Sequence, residues 1–457
     1  MGLYTQWVAR GLFPLQERLK GHPTVAWHKA LEATQWWTPE DLQSLQQQRL
    51  QGLLERVARQ VPFYREWFAQ QAWSPAAFSG IADLQRLPVV DKALIREQGA
   101  AWRAEGARNL EEQHTSGSSG EPLRFWLGAD RIGMDIAAKW RATRWWGVDV
   151  GDRELVLWGS AVENEAQNGM RAWRDRLFRS YLVPARDLNP ARLDRIIEQI
   201  RQRRPRMLFG YPSALSRVAW RARERGQRLD DLGIRVAFTT SEVLRPEWRA
   251  VIGEVMGCGV ANEYGARDAG FIARECPAGG MHITAEALIV EILDAEDRPV
   301  PPGATGNIVI TNLVGPEFPF IRYRTGDRGA LDPRPCPCGR GLPLLRDIDG
   351  RANDGLIATD GSWIHGSRFN YLMRDLPGLR AYKVIQHDRH HVEVLLSLVA
   401  ALPAAAEERL RRALVDALGQ AVQVDVRAVD AIPPEPNGKH RHVVCRVPDT
   451  DQPARNA

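Results

Sequence analysis

A run of glycine and hydroxyl residues is the sharpest chemical signal in this sequence. Thr115–Pro122 reads Thr-Ser-Gly-Ser-Ser-Gly-Glu-Pro. Such residues cannot fill a core, but they let backbone N–H groups and hydroxyls approach an anion closely. The segment lacks the G-x-x-x-x-G-K-S/T pattern of P-loop NTPases and has no lysine. We interpret it as an anion-binding loop that needs a cation from elsewhere; a flexible Gly/Ser linker is the alternative.

Other segments carry groups that suit a nucleotide. Asp327 follows a Thr-Gly turn, and its carboxylate can accept hydrogen bonds from both hydroxyls of a ribose. Tyr264 offers an aromatic face to a base, and Asp268 offers a carboxylate to Mg²⁺. Lys439, in a Gly-Lys turn, would supply the missing cation. Taken singly, a turn aspartate that caps its own backbone and a solvated lysine explain these residues as well.

Cysteine and histidine residues form a second, independent pattern. Five residues lie between Cys276 and His282, and Cys336 and Cys338 flank a proline. These four side chains are the ligand set of a closed, tetrahedral, structural Zn²⁺ site. The alternative is a set of scattered thiols with one surface histidine.

The elements that must position these residues alternate between strands and helices. Short apolar runs end in small or polar residues and are followed by amphipathic stretches. This alternation of strand and helix patterns is typical of an α/β protein. The runs are Leu155–Trp158, Met207–Phe209, Val236–Phe238 and Gly259–Ala261. Ligands of α/β folds bind beyond the carboxyl ends of the strands. Ser241 and Glu242 follow the third run, and the segment with Tyr264 follows the fourth.

The two ends of the chain have a different character. Residues 1–100 read as helical, with Thr38 as an N-cap, Pro39 at the first helical position and Pro62 marking the end of one helix. From about Gly350 onward, predicted strands surround a helix over Ala404–Gly419. We therefore predict a small, separate α+β domain at the C-terminal end.

Composition excludes several classes of protein. Apolar residues make up 44% and charged residues 26%, which is ordinary for a globular chain. The 61 Lys and Arg residues nearly balance the 56 Asp and Glu residues, so the net charge of +5 does not indicate nucleic-acid binding. No apolar stretch is long enough for a membrane-spanning helix. The N-terminal residues match neither a signal peptide nor the myristoylation pattern, and we expect a cytoplasmic protein.

Five segments occur in the order and rough spacing of the adenylate-forming acyl-CoA synthetase superfamily. They are Thr115–Pro122, Tyr264–Asp268, Arg324–Asp327, Gly350–Asp354 and Gly438–Lys439. The chain resembles most closely the phenylacetate–CoA ligase family. Its N-terminal sequence, including Val-Pro-Phe-Tyr-Arg at 61–65, is similar to that of the branch associated with capsule biosynthesis. The resemblance covers nearly the whole chain.

This resemblance implies a role for each residue. Nucleotide contacts would come from Thr115, Ser116, Gly117, Ser118, Ser119, Gly120, Ser241, Glu242, Glu263, Tyr264, Gly265, Asp327 and Arg351. The adenine would stack on Tyr264, and Lys439 would be the catalytic lysine of the lid domain. Asp268 would take the Mg²⁺ position, where the family usually carries Glu. Because Asp is one methylene shorter, contact through a bridging water is an alternative. Some members of the branch carry the same four Cys and His residues, which favours zinc.

The resemblance also implies a reaction and a domain plan. A carboxylate would attack ATP to give an acyl-adenylate, and a thiol, most simply that of coenzyme A, would then displace AMP. The expected fold has a large multi-part N-terminal α/β domain over residues 1–350, a hinge at 351–355 and a small mobile α+β lid domain over 356–457.

Alternative readings stay open. The acyl group could pass to an amine, a sugar or a pantetheine carrier protein, or the chain could be a catalytically silent nucleotide-binding protein. A zinc hydrolase is disfavoured because the presumed ligand set leaves no position for water. As partners we expect a small carboxylic acid and coenzyme A, with no nucleic acid and no stable membrane insertion; a homodimer is left open.

Overall fold

The computed structural model describes residues 2–115, 123–158, 169–185, 188–348, 355–365, 368–369, 372–373, 376–432 and 441–447. Several predicted site residues lie outside this part of the chain, namely Ser116–Gly120, Arg351 and Lys439. The predicted hinge also falls almost wholly outside it. Among the described residues, no helix combines the length and the apolar character needed to cross a membrane.

The first hundred residues are helical, as predicted. The α-helices are α1 (Leu3–Trp7), α2 (Phe13–Leu19), α3 (Thr24–Thr34), α4 (Pro39–Gln60), α5 (Pro62–Gln70) and α6 (Lys92–Gln98). A π-helical turn over Val8–Leu12 joins α1 to α2, and short 3₁₀ turns lie at Pro75–Ala77, Ile81–Arg86 and Gly99–Trp102. The Thr38 hydroxyl accepts a hydrogen bond from the Asp41 N–H, and Pro39 opens α4, so the predicted cap is correct.

A hairpin and a large sheet follow. The hairpin strands are β1 (Glu111–His114) and β2 (Arg124–Leu127). The sheet contains β3 (Glu154–Trp158), β4 (Ser180–Pro184), β5 (Met207–Gly210), β6 (Val236–Thr240), β7 (Gly259–Ala266), β8 (Gly270–Glu275), β9 (Met281–Ile283), β10 (Leu288–Leu293), β11 (Gly306–Asn312), β12 (Tyr323–Asp332) and β13 (Leu344–Arg346). The accompanying helices are α7 (Ala129–Trp145), α8 (Gly169–Leu177), α9 (Pro190–Arg203), α10 (Pro212–Glu224) and α11 (Pro246–Met256).

The large sheet has a parallel half and an antiparallel half. Its strand order is β10-β11-β12-β13-β9-β8-β7-β6-β5-β3-β4. Strands β4, β3, β5, β6 and β7 are parallel, and pairing becomes antiparallel from β7 to β8 onward. The four apolar runs predicted as strands are β3, β5, β6 and the first part of β7. Polar residues that follow parallel strands therefore meet at one edge, as the sequence predicts.

The C-terminal residues have their own sheet and core. A hairpin of β14 (Gly355–Ile357) and β15 (Trp363–His365) precedes a sheet of β16 (Leu379–Asp388), β17 (His391–Leu398), β18 (Gln423–Ala428) and β19 (Val443–Cys445). Helix α12 (Ala404–Leu418) packs on it, burying Leu410, Leu414 and Leu418. The fold is thus mixed α/β with a separate α+β region, as predicted.

The C-terminal region contacts the large sheet through α10 and α11. The Trp248 indole N–H donates to the Arg380 carbonyl at 2.8 Å. The Arg380 guanidinium pairs with Glu224 at 2.7 Å, and that of Arg245 lies 4.3 Å from the centre of the Tyr382 ring. Among the described residues, these contacts and the ring contact of Trp248 with His442 join the two regions.

Candidate functional site

The predicted anion-binding loop connects the two strands of the β1–β2 hairpin. Its ends are hydrogen-bonded to each other: the Thr115 N–H donates to the Leu123 carbonyl at 3.0 Å. The Leu123 N–H in turn donates to the Thr115 hydroxyl at 2.9 Å. Phe125 on β2 is buried and packs edge-on against Phe320, which fixes the hairpin to the segment before β12. Thr115, the one described residue of the loop proposal, thus closes the base of the loop.

Ser241 and Glu242 lie where β6 ends, next to β7. Thr240 pairs with Glu263 across the two strands. Ser241 has a φ of 70°, a left-handed conformation that a side-chain-bearing residue adopts at some cost, so the chain turns sharply there. The carboxylate of Glu242 accepts a hydrogen bond from the Ser213 N–H at 3.2 Å. The turn after β6 is therefore held against the start of α10.

Tyr264 and Asp327 meet directly. The Tyr264 hydroxyl donates to Oδ2 of Asp327 at 2.8 Å, and the Asp327 N–H donates to the Thr325 hydroxyl at 3.1 Å. Burial, with the charge of Asp327, raises the pKa of Tyr264 well above its ordinary value. Tyr264 is therefore a protonated donor that orients the carboxylate predicted to hold a ribose.

Asp268 lies beside this pair, in a more buried position. Its Oδ2 accepts a hydrogen bond from the Tyr323 hydroxyl at 2.5 Å and lies 3.4 Å from Nζ of Lys92. Its backbone carbonyl accepts a hydrogen bond from Arg131 at 3.2 Å. Burial, together with the charges of Asp268 and Asp327, raises the pKa of Tyr323 well above its ordinary value. The two carboxylates thus belong to one charged cluster.

Lys92 was not predicted from the sequence. Its place follows from Asp91, whose carboxylate caps α6 by accepting from the Leu94 N–H, so that Lys92 begins the helix. Just before it, Val90 pairs with Tyr323 through a backbone bridge. The capping signal is visible in the sequence, but the neighbour across that bridge is not.

The two residues flanking Tyr264 serve the protein framework. The carboxylate of Glu263 accepts a hydrogen bond from Arg274 at 2.6 Å in a buried ion pair, so its charge is engaged within the protein. A Cβ at Gly265 would lie 2.5 Å from the Gly270 carbonyl oxygen, so glycine is required where β7 and β8 shift register. Gly265 therefore offers a ligand only backbone groups, and Oε2 of Glu263 is already engaged by Arg274.

Two aromatic side chains stand at the ends of neighbouring parallel strands. The rings of Trp158, at the end of β3, and Tyr211, just after β5, are stacked with centroids 4.6 Å apart. Ser213, which donates to Glu242, follows Tyr211 by two residues. This flat apolar surface borders the same edge of the sheet as the nucleotide candidates.

The four Cys and His side chains come together as predicted. The ligand atoms of Cys276, His282, Cys336 and Cys338 all lie within 4.8 Å of one another. Nε2 of His282 is 3.1 Å from Sγ of Cys338, and the sulfur atoms of Cys276 and Cys336 are 3.6 Å apart. Burial lowers the pKa of His282 to about 4, so its imidazole is neutral, the form that binds a metal.

The surroundings of this cluster fit a tetrahedral metal site. Nδ1 of His282 faces the Leu342 carbonyl at 3.3 Å, which leaves Nε2 for a metal. A Cβ at Gly280 would lie 2.6 Å from the sulfur of Cys336, so only glycine fits between the ligands. Next to the cluster, Gln35 accepts hydrogen bonds from the Trp145 and Arg340 side chains at 2.8 and 3.0 Å. The cluster thus lies where the N-terminal helices, α7 and the segment before β13 join.

Comparisons with known proteins agree with this picture. A family profile described as the CapK C-terminal domain matches residues 356–446. A phenylacetate–coenzyme A ligase of Thermus thermophilus is 27% identical over 330 residues, which span 70% of this chain and 72% of that protein. The enzyme of the same name from Aromatoleum evansii is 25% identical over 451 residues, spanning 92% and 97% of the two chains.

Solved structures share the fold. The crystal structure of a 2-hydroxyisobutyryl-CoA ligase in its postadenylation state superimposes with a TM-score of 0.72 at 21% identity, covering 91% of this chain and 92% of that chain. In its thioesterification state, with coenzyme A, the same enzyme gives a TM-score of 0.61 at 23% identity, covering 91% of both chains. At these identities the likeness concerns the fold.

Proposed function

We propose that this chain, which resembles the phenylacetate–CoA ligases over most of its length, is an AMP-forming acid–thiol ligase of the adenylate-forming type. ATP activates a carboxylic acid as an acyl-adenylate with release of pyrophosphate. A thiol then attacks the acyl carbon and displaces AMP. Coenzyme A is the proposed acceptor, and the cytoplasm, which supplies both ATP and coenzyme A, is the proposed location.

The observation that carries this proposal is the pairing of Tyr264 with Asp327 next to the pair of Asp268 with Lys92. An aromatic ring and an oriented carboxylate can bind the adenine and the ribose of one nucleotide. A buried carboxylate with a lysine beside it suits the end of that nucleotide where phosphate charge is concentrated. The chemistry needs positioning and charge neutralisation more than a protein nucleophile.

Other residues complete the proposed assignment. Thr115–Gly120 would cradle the phosphates with backbone N–H groups, while Ser241 and Glu242 would border the adenine. Arg351 would lie beside the nucleotide. Lys439 would contact both the reacting carboxylate and the α-phosphate as a compact point charge.

Asp268 is the proposed ligand of Mg²⁺. Tyr323 and Lys92 both contact its Oδ2, so a metal would bind through Oδ1 or through a bridging water. Mg²⁺ keeps several of its waters and commonly uses one or two carboxylates together with substrate phosphates. When bound, it would neutralise charge on the triphosphate.

The C-terminal region is proposed to act as a lid that changes orientation between the two half-reactions. Among the described residues, its contacts with α10 and α11 are polar and aromatic contacts at Glu224, Arg245 and Trp248, which can break and form again as a lid turns.

The Cys276, His282, Cys336 and Cys338 cluster is proposed to hold one structural Zn²⁺. All four ligands come from the protein, so this closed site leaves no position for a substrate. It would fasten the segment after β8 to the segment after β12.

Carboxylate-dependent exchange of pyrophosphate into ATP tests the proposal. With Mg²⁺ and a panel of aryl, arylacetic, fatty and sugar acids, exchange with one class would establish adenylation and name the acid. AMP release with coenzyme A, a carrier protein, an amine or a sugar would then identify the acceptor. ATP binding without exchange for any acid would contradict catalysis and favour the silent nucleotide-binding protein.

A further inference from the structure

The N-terminal helix shows its large apolar side chains to solvent. Along α1, the π-helical turn and α2, Leu3, Trp7, Leu15 and Leu19 are 87%, 54%, 55% and 80% exposed. A surface helix of a globular protein normally turns such residues toward the core. The described residues of this chain leave the stripe exposed, and contiguous exposed apolar surface marks an interaction site.

The opposite side of the same helix is firmly attached to the protein. Phe13 packs edge-on against Trp140 with ring centroids 5.0 Å apart. The Thr5 hydroxyl donates to Asp152 at 2.9 Å, and the Tyr4 hydroxyl donates to the Leu177 carbonyl at 2.8 Å. These contacts fix which face points outward, so the stripe is a feature of the folded protein.

The π-helical turn over Val8–Leu12 keeps the exposed residues in line. A π-turn has more residues per turn than an α-helix, so each of its residues advances by a smaller angle around the helix axis. The residues after the turn are therefore rotated back relative to their positions in a continuous α-helix. Leu15 and Leu19 consequently stay on the face that carries Leu3 and Trp7. In a continuous α-helix without this turn, residues spaced by four positions would lie progressively further around the helix axis.

The exposed charged side chains of this helix are positive. Arg10 and Arg18 are exposed on the same helix, while Lys20, just past its end, pairs with Glu17 at 3.4 Å. Glu17 is the sole acidic residue among residues 2–31, and its side chain is 1% exposed and hydrogen-bonded to Thr24 at 2.7 Å. The surface thus combines leucine and tryptophan with exposed cations.

The neighbouring surface extends this character. Helix α8 ends at Leu177, which contacts Tyr4, and it carries Trp173 with 69% of its surface exposed. The Arg179 guanidinium lies 3.8 Å from the centre of the Tyr4 ring. A second tryptophan and a further arginine thus border the N-terminal helix.

We propose that this face binds reversibly to the surface of an anionic lipid bilayer. Leucine and tryptophan side chains enter the boundary between headgroups and acyl chains, where tryptophan is favoured, while arginine and lysine attract acidic headgroups. The helix lies flat, so the attachment is peripheral. The inference does not depend on the proposed ligase activity, since these residues are outside the nucleotide site.

Vesicle co-sedimentation tests the proposal with the full chain. The wild-type protein should pellet with vesicles of equal parts phosphatidylcholine and phosphatidylglycerol, and much less with phosphatidylcholine alone. The double variant Trp7→Glu/Leu15→Glu should lose binding roughly tenfold or more, because charges replace two inserted side chains. The variant Arg10→Glu/Arg18→Glu should lose the preference for acidic vesicles.

Val399→Glu is the matched control, because Val399 is 62% exposed on the C-terminal region and should not affect binding. Thermal unfolding of each variant checks that the fold is intact. Failure of the wild-type protein to bind acidic vesicles would overturn the proposal, as would unchanged binding by Trp7→Glu/Leu15→Glu. Light scattering that shows a dimer, dissociated by that variant, would assign the face to a second copy of the chain instead.

Discussion

Nζ of Lys92 lies 3.4 Å from Oδ2 of Asp268, although the two residues are far apart in the chain. One begins a helix near the N-terminal end, and the other stands in the turn between β7 and β8. The buried carboxylate proposed for Mg²⁺ therefore already has a cation within reach. Lys92 can contribute positive charge to this end of the site whether or not Lys439 is in place.

Removing the Lys92 charge should weaken adenylation. We expect Lys92→Ala to lower kcat/KM for ATP in pyrophosphate exchange by about 10²-fold, the usual cost of losing one electrostatic contact to a developing charge. Lys92→Arg should recover part of this loss. Lys29→Ala, which removes an exposed lysine of α3, is the control. Full activity of Lys92→Ala would exclude this role.

Two substitutions should separate the contributions of the ring and the hydroxyl of Tyr264 to ATP binding. Tyr264→Phe keeps the aromatic face but removes the 2.8 Å hydrogen bond to Asp327. We expect it to raise the KM for ATP by roughly tenfold, the effect expected for losing one hydrogen bond to a charged group. Tyr264→Ala removes the stacking surface as well and should raise the KM considerably more. Equal effects of the two variants would argue against stacking on this ring.

The two half-reactions should respond differently to Lys439→Ala. Because this lysine is proposed to contact the reacting carboxylate and the α-phosphate, its loss should abolish pyrophosphate exchange. Thiolation of a supplied acyl-adenylate should remain largely intact, since the lid then presents a different surface. Loss of both half-reactions to the same extent would refute the assignment.

The zinc proposal makes a prediction about stability. Purified protein, prepared without chelator, should contain about one zinc per chain. Cys276→Ser should remove the metal and lower Tm by several degrees, because the ligands join segments that are 60 residues apart. Cys445→Ser, at a thiol of the C-terminal sheet, should leave both quantities unchanged. Metal content well below one per chain in the wild-type protein would refute the site.

Glu17 should make stability depend on acid pH. Burial opposes its ionisation, but hydrogen bonds from Thr24, Gln16 and His22 outweigh this and lower its pKa. A lowered pKa in the folded state stabilises the protein above the ordinary value of 4.5, and this stabilisation is lost as the pH falls through the folded pKa. Glu17→Gln should therefore show a shallower fall of unfolding free energy below about pH 4.5 in urea titrations.

Glu66→Gln, at an exposed residue of α5, serves as the control for that experiment. It should follow the wild-type pH dependence. If Glu17→Gln and Glu66→Gln behave alike, Glu17 does not contribute the expected proton linkage.

Local patterns predicted many of the elements. The Thr38–Pro39 start of α4 and four of the five parallel strands follow from residue type and spacing. For the cluster of Cys276 with Cys338, spacing alone left scattered thiols as an alternative, and the family resemblance favoured a metal site. The sequence also predicted that Ser241 lies near Tyr264, because the two residues follow neighbouring parallel strands, which end at the same edge of the sheet.

Contacts set by tertiary packing could not be predicted in this way. Lys92 reaches Asp268 only because Val90 pairs with Tyr323, and nothing near Lys92 in the sequence encodes that bridge. The engagement of Glu263 by Arg274 likewise depends on the register of β7 against β8. Such partners become visible only when the sheet is assembled.

The attachment of the N-terminal helices has a consequence for how the chain folds. Thr34 donates to Glu286, the Trp102 indole donates to the Pro319 carbonyl, and Arg340 donates to Gln35, pairs that are 252, 217 and 305 residues apart. These partners emerge from the ribosome long after the helices do. Contacts between residues so far apart in the chain slow folding. Until their partners are synthesised, the N-terminal helices expose apolar surface that is buried in the folded protein. We expect a fragment that ends before β12 to be prone to aggregation, and the nascent chain to be a client for chaperones.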